Sequence, residues 1–188
     1  MKKLLVYGVI VLLSILIAGL YGVVHNQISY TVSPEYFTKF KFEQFHLLNS
    51  PLPERVRASI VGFLAAWWMG VPIGLLVGAA GFIHCGHRRM LRISLWSMLV
   101  TVGFTLLFGL GGLVYGWFQT RHINLAAYDD WFIPDNVVHL RRFLCAGYMH
   151  NSSYLGGTVA ILVAWAFHIM IRLRARAAAI PPVLTAPE

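Results

Sequence analysis

The chain has 188 residues, of which 58% are hydrophobic and 12% charged, with a formal net charge of +8 and a mean hydropathy of +0.68. Soluble domains run at about 45–50% apolar and about 25% charged, so a water-soluble core of this length cannot hide this much apolar surface and a bilayer is the expected solvent. The basic residues sit at the ends of apolar runs, with no basic, aromatic-interleaved stripe, which excludes nucleic-acid binding as the meaning of the charge.

Residues 4–24 form the first apolar run, preceded by Lys2 and Lys3. At 1.5 Å per residue it spans about 31 Å, enough to cross a bilayer. It is long for the apolar part of a signal peptide and offers no small-x-small cleavage site, so it reads as an uncleaved span. The first long loop, residues 25–56, opens on His25. Ser33-Pro34-Glu35 has the chemistry of a helix start: a hydroxyl cap, proline at the first position and an acid in the first turn. The aromatics that follow, Tyr36, Phe37, Phe40, Phe42 and Phe45, predict a short helix lying in the membrane interface, aromatics toward lipid and Lys39 and Lys41 toward headgroups. Phe42 departs from the helical spacing.

The second and third spans are expected at about 58–83 and 93–118. The short basic turn between them carries His84, Cys85, Arg88, Arg89 and Arg92. Gly70, Gly74 and Gly78 form a strip of small residues suited to close helix packing and to self-association. Pro72 predicts a kink. The second long loop, 119–153, contains a turn at residues 129–135 and predicts a helix from about Asp135. There Asp135 and His139 share a face. His150 falls about 16 Å further along a continuous helix, so His139 and His150 can share a metal only with a break near Gly147. The fourth span is expected at 155–173. Arg141 and Arg142 are candidates for a lipid phosphate. A flexible cytoplasmic tail is expected over 176–188, with Pro181-Pro182 ending any helix.

These spans predict an all-α polytopic membrane protein, a single four-helix bundle over 1–175. Its two outward-facing loops carry short interfacial helices. Lys2, Lys3, Arg88, Arg89, Arg92, Arg172, Arg174 and Arg176 fall on one side with Glu188, whereas the other side holds the remaining seven of the fifteen Lys/Arg and six of the seven acids. The positive-inside rule makes the termini cytoplasmic. Cys85 and Cys145 then lie on opposite faces and cannot pair. No acid, lysine or arginine lies deep in a span, which argues against a proton-coupled transporter. His168, one turn from Arg172, reads as an interfacial polar residue.

The stretch Tyr21-Gly22-x-x-His25-Asn26-Gln27 followed by residues 33–42, SPEYFTKFKF, resembles an outer loop of small multi-pass bacterial membrane proteins. The resemblance covers about a tenth of the chain. It implies a bacterial cytoplasmic (inner) membrane location and carries no activity.

Chemistry is expected on the outward face. It holds His25, His46, His122, His139 and His150 of the eight histidines, and His with carboxylate is the ligand set of zinc, iron or manganese. The expectation is a metal site with His25, Glu35, His139 and His150 as ligands and Glu35 as ligand or general base. Asp135 would orient His139 from behind. Such a site would act on a lipid-soluble or amphipathic substrate. No HExxH or Cys/His cluster supports it. The competing reading is a non-catalytic subunit or assembly factor of a larger membrane complex.

Overall fold

The computed structural model describes residues 1–178. Those residues form helices and turns with no strand. Four helical stretches are long and apolar enough to cross a membrane: α1 (Lys2–Val32), Glu54–Gly81, α4 (His87–Gln119) and α5 (Leu140–Ala177). Each outruns its apolar run, and α5 at 38 residues is about 57 Å long against a hydrocarbon core of about 30 Å. The helix runs unbroken through Gly147, which keeps His139 and His150 apart, and its expected start near Asp135 moves to Leu140. Of the tail expected over 176–188, α5 takes the first residues through Ala177; residues 179–188, with Pro181-Pro182, lie outside the described residues.

The second stretch is divided into α2 (Glu54–Ala66) and α3 (Gly70–Gly81) by a 3-10 turn at Trp67–Met69. Pro72 accounts for the division. It has no N–H for the carbonyl four residues back, at Trp68, and its ring crowds that carbonyl, so the turn before it tightens. The short turn from α3 to α4 passes through Gly86 at φ +80°, a conformation glycine adopts without cost.

The bundle is assembled from two tight halves. In one, α2 and α3 lie on α1 through backbone-to-backbone contact. A Cβ on Gly22 would fall 2.0 Å from the Gly62 carbonyl oxygen, and one on Gly70 would fall 2.4 Å from Ile15 Cα. The Gly70/Gly74/Gly78 strip is therefore taken up by Ile15, Val11, Ser14 and Tyr7 of α1 within the chain, the close helix packing such a strip suits. In the other half, α4 and α5 run antiparallel with Gly109 against Ser153, Gly112 against Ser152 and Gly116 against Tyr148. Between the halves α3 reaches α5, where the Trp165 indole donates to the Leu76 carbonyl at 3.1 Å.

Both long loops sit at one end of the bundle, and the start of α1 and the last turns of α5 lie at the other, where Lys3 donates to the His84 carbonyl and Arg172 to Cys85. At the loop end α1 stops at Ser33, whose φ of −146° is the extended conformation that a following proline imposes. Ser33 Oγ then accepts from Tyr36 N at 3.3 Å, the cap anticipated in the sequence. Residues 34–44 are helical but pass through a π turn at Phe37–Lys41. That extra residue per turn swings Phe42 onto the same side as Tyr36 and Phe37. All three are buried against Ala58, Val61, Phe143 and Ala146. The aromatics thus form a protein core that clamps α1, α2 and α5 together, and not the lipid-facing surface expected.

Candidate functional site

The four residues expected as metal ligands separate into two pairs. Glu35 and His139 form the first. Glu35 Oε2 accepts from His139 N at 2.6 Å and lies 3.2 Å from His139 Nδ1, while Oε1 accepts from Val138 N at 3.1 Å. Lys39 closes the carboxylate from the other side at 2.5 Å and also donates to the Asn136 carbonyl. Burial pushes the Glu35 carboxyl up, but the Lys39 ammonium and the two amides outweigh it and bring it down to about 2. These amides belong to His139, the cap residue of α5, and to Val138 before it, so Glu35 holds the lead-in to that helix from the other loop. Asp135 precedes α5 rather than sharing its face with His139, and it is Glu35 that meets the His139 ring.

His25 and His150 form the second pair, buried between α1 and α5 with ring centroids 4.6 Å apart and edge to face. Tyr36 lies over His150 in a stacked arrangement at 4.8 Å, and burial raises its phenol above the ordinary value. His150 Nε2 is 3.2 Å from Ser29 Oγ. His25 Nδ1 is 3.3 Å from Asn26 Oδ1, whose amide nitrogen donates to the Ala58 carbonyl at 3.1 Å. That chain fixes the His25 ring with Nδ1–H toward Asn26 and leaves its buried Nε2 without a hydrogen bond of good geometry, although the Met149 backbone carbonyl bears on the ring. Burying an imidazole nitrogen unpaired costs about 1–3 kcal/mol, and such a group in a folded protein asks for a reason.

Below this pair a cavity of about 90 Å³ runs down the seam between the two halves. Its walls are mostly apolar, Ile17, Ile73 and Met98 among them, with His25, Asn26 and His150 as polar lining at one end and Ser14, Thr101 and Thr105 along the walls. Half-buried Met69 and Val102, together with the 44%-exposed Tyr154, border it. The seam therefore opens sideways toward the surface that lipid would cover. The break at Trp67–Met69, at mid-span, helps form this opening.

The four cations expected at lipid headgroups are largely engaged by the protein. Lys39 is held by Glu35. Lys41 donates to Gln44 at 2.8 Å and lies over the Phe40 ring at 4.3 Å, with burial drawing its ammonium down to about 8. Arg141 stacks on Trp117 at 3.7 Å and donates to the Trp117 carbonyl. Arg142 lines a shallow recess beside Glu35 and His139. Among the described residues no three His, Cys, Asp or Glu side chains converge as a metal would need.

At the terminal end lies a pair that the sequence reading missed. His84 and His168 are both buried, and His84 Nε2 is 3.0 Å from His168 Nδ1. His168 is thus a core residue and not an interfacial one. Hydropathy reports how far along a span a residue lies and not which way it faces. Its helical spacing of four from Ala164, itself four from Ala160, was the available signal. Beside this pair Arg172 donates to the exposed Cys85 thiol at 3.3 Å and lowers its pKa. Cys85 is expected to react with a maleimide faster than an ordinary surface thiol, and Arg172→Ala to slow it. Buried Cys145 stays unlabelled until the protein is denatured.

A scan against protein-family models, a search of curated proteins and a search of solved structures find no match to this chain.

Proposed function

We propose that the protein is a multi-pass protein of a bacterial inner membrane, with its termini in the cytoplasm. Its seam cavity takes a neutral, lipid-soluble molecule whose head group carries a hydroxyl donor. One observation carries this reading: a buried, unpartnered imidazole nitrogen, His25 Nε2, at the head of an otherwise apolar cavity that opens sideways. Apolar walls with a few placed polar groups are the usual character of a small-molecule site. With Nδ1–H directed at Asn26 Oδ1, His25 Nε2 would accept from a hydroxyl, Tyr36 would close the site above His150, and an apolar tail would follow the seam into lipid.

A zinc, iron or manganese ion held by His25 and His150 would be short of protein ligands, because Glu35 is committed to α5 and His139 stands with it. Direct recognition by imidazole is therefore favoured over metal-mediated chemistry. The engaged loops also give a non-catalytic subunit role less support than the cavity gives to ligand binding.

A decyl-chain phenol supplies both the hydroxyl head and the apolar tail. At ten times its Kd a ligand stabilises by about 1.4 kcal/mol, which raises the Tm of a chain this size by about 3–6 °C. Wild type in detergent is expected to show that shift and His25→Leu to lose it while keeping its own Tm within a few degrees. Equal shifts in both proteins would remove His25 from the site. The orientation has its own test. A membrane-impermeant maleimide added to intact cells leaves Cys85 unlabelled, and labels it once the inner membrane is opened; labelling of intact cells would invert the topology.

A further inference from the structure

Four hydroxyls occupy one buried face of α4: Ser94, Ser97, Thr101 and Thr105, all between 0% and 7% exposed. Their spacing of three, four and four residues keeps them in line down the helix. The antiparallel register with α5 fixes what they meet. Ser97 Oγ donates to the Ala164 carbonyl at 3.4 Å, which puts Ser94 level with His168, one turn further along. At the other end of the row Thr105 faces Gly157, one turn from Ser153, whose Oγ accepts from the Tyr21 hydroxyl at 3.2 Å. Ser153 in turn is one turn from His150. The row therefore begins at one buried histidine pair and ends at the other, and the pairs are about 27 Å apart along α5.

The hydrogen-bonding inventory is that of a relay and not only of close packing. Thr101 and Thr105 donate to carbonyls of their own helix at 3.0 and 2.8 Å, which leaves their lone pairs free. Ser94 Oγ, His84 Nδ1, His168 Nε2 and His25 Nε2 are all buried without a partner. In the His84–His168 pair the unpartnered nitrogens are the outer ones of two rings joined through their inner nitrogens. Successive hydroxyl-bearing positions are about 5–6 Å apart, a gap that one water bridges with two hydrogen bonds of about 2.8 Å. Thr101, Thr105 and Ser153 also line the cavity, whose volume admits a few waters.

We infer that the bundle carries a proton path between its two histidine pairs, with the hydroxyl row of α4 and intervening waters as its middle section. A proton accepted at the outer nitrogen of one imidazole releases the proton on its inner nitrogen to the next ring. The hydroxyls and waters pass it on in the same way, each giving up one proton as it gains one. Nothing is oxidised, and the path works in either direction. The charged groups that bear on its ends are Lys3 of α1, Arg89 of α4 and Arg172 of α5 at His84, and Lys41 of the 34–44 segment at His150. They exclude metal cations from the ends while leaving neutral imidazoles able to exchange protons. The path stands apart from the lipid-ligand reading, because it needs no bound molecule.

The test is proton flux into liposomes that hold the full chain and trapped pyranine, driven by a potassium gradient with valinomycin. Wild type is expected to move protons at least tenfold faster than protein-free liposomes. His168→Phe should return the flux to background, and the near-isosteric Thr101→Val, which keeps the packing, should cut it by about tenfold. Wild-type flux equal to that of protein-free liposomes would overturn the inference. So would wild-type flux retained in both His168→Phe and Thr101→Val.

Discussion

A Gly62→Leu variant is expected to lose the folded bundle. At this crossing α1 and α2 meet backbone to backbone: a Cβ on Gly62 would lie 2.2 Å from the Gly22 carbonyl oxygen and 2.5 Å from its carbon. No side-chain rearrangement relieves a clash with main chain, so the helices must part by several ångströms. Parting them opens the Asn26–Ala58 hydrogen bond and the aromatic core above it. In a membrane there is little hydrophobic drive to re-seat a separated pair, and packing of small residues is the main attraction lost. The cost is at least about 3 kcal/mol, in the range of severe overpacking. It would be read as loss of the monodisperse peak and of the thermal transition in detergent. Gly111→Ala is the matched control, because nothing lies within 4 Å of its Cβ position. It should leave Tm unchanged or raise it slightly, by up to about 1 kcal/mol of helix propensity. An unaltered Tm in Gly62→Leu would mean that α1 and α2 are not in this contact.

Glu35→Gln is expected to destabilise the loop end by about 2 kcal/mol and to remove an acid-dependent step from the stability profile. The carboxylate accepts from the two amides that lead into α5, Val138 and His139, and from Lys39, and an uncharged amide weakens those bonds and leaves Lys39 without its counter-charge. The pH dependence follows from the folded pKa of about 2 set against about 4.3 in the unfolded chain. Between those values the unfolded state binds more protons, so stability rises with pH there. The Glu35 contribution is fully present above about pH 4.5 and is lost as pH falls toward 2. Thermal melts from pH 6 to 2.5 should show wild type losing stability faster than Glu35→Gln, the curves converging at the acid end. Parallel curves would show that Glu35 does not hold the lead-in to α5.

The four spans were legible because apolar runs of about 20 residues have no other stable home. Their ends were not, since hydropathy marks the hydrocarbon thickness while the backbone ladder continues through polar residues such as His25–Val32 and Leu140–Tyr154. The Ser33 cap was legible because it is local chemistry. Phe42 was noticed as an exception to helical spacing, but only the π turn explains it. The pairing of His25 with His150 was within reach, since both lie at the same end of adjacent spans. The use of Glu35 by α5 was not, because it joins residues 103 and 104 apart in the chain, and nothing local announces it. The hydroxyl row of α4 was readable by its spacing alone, but that its Ser94 end lies level with His168 followed only once α5 was placed beside it.

The two glycine-locked halves also give the molecule a mechanical grain. Within each half, backbone rests on backbone and has little room to give. The seam between them is closed by side chains, by the Trp165 tether at one level and by the aromatic clamp at the loop end. Strain from bilayer thickness or lateral pressure is therefore concentrated in the seam. The halves can rock about the clamp without stretching any helix's own hydrogen bonds, so the cavity between them is the compliant part of an otherwise stiff body.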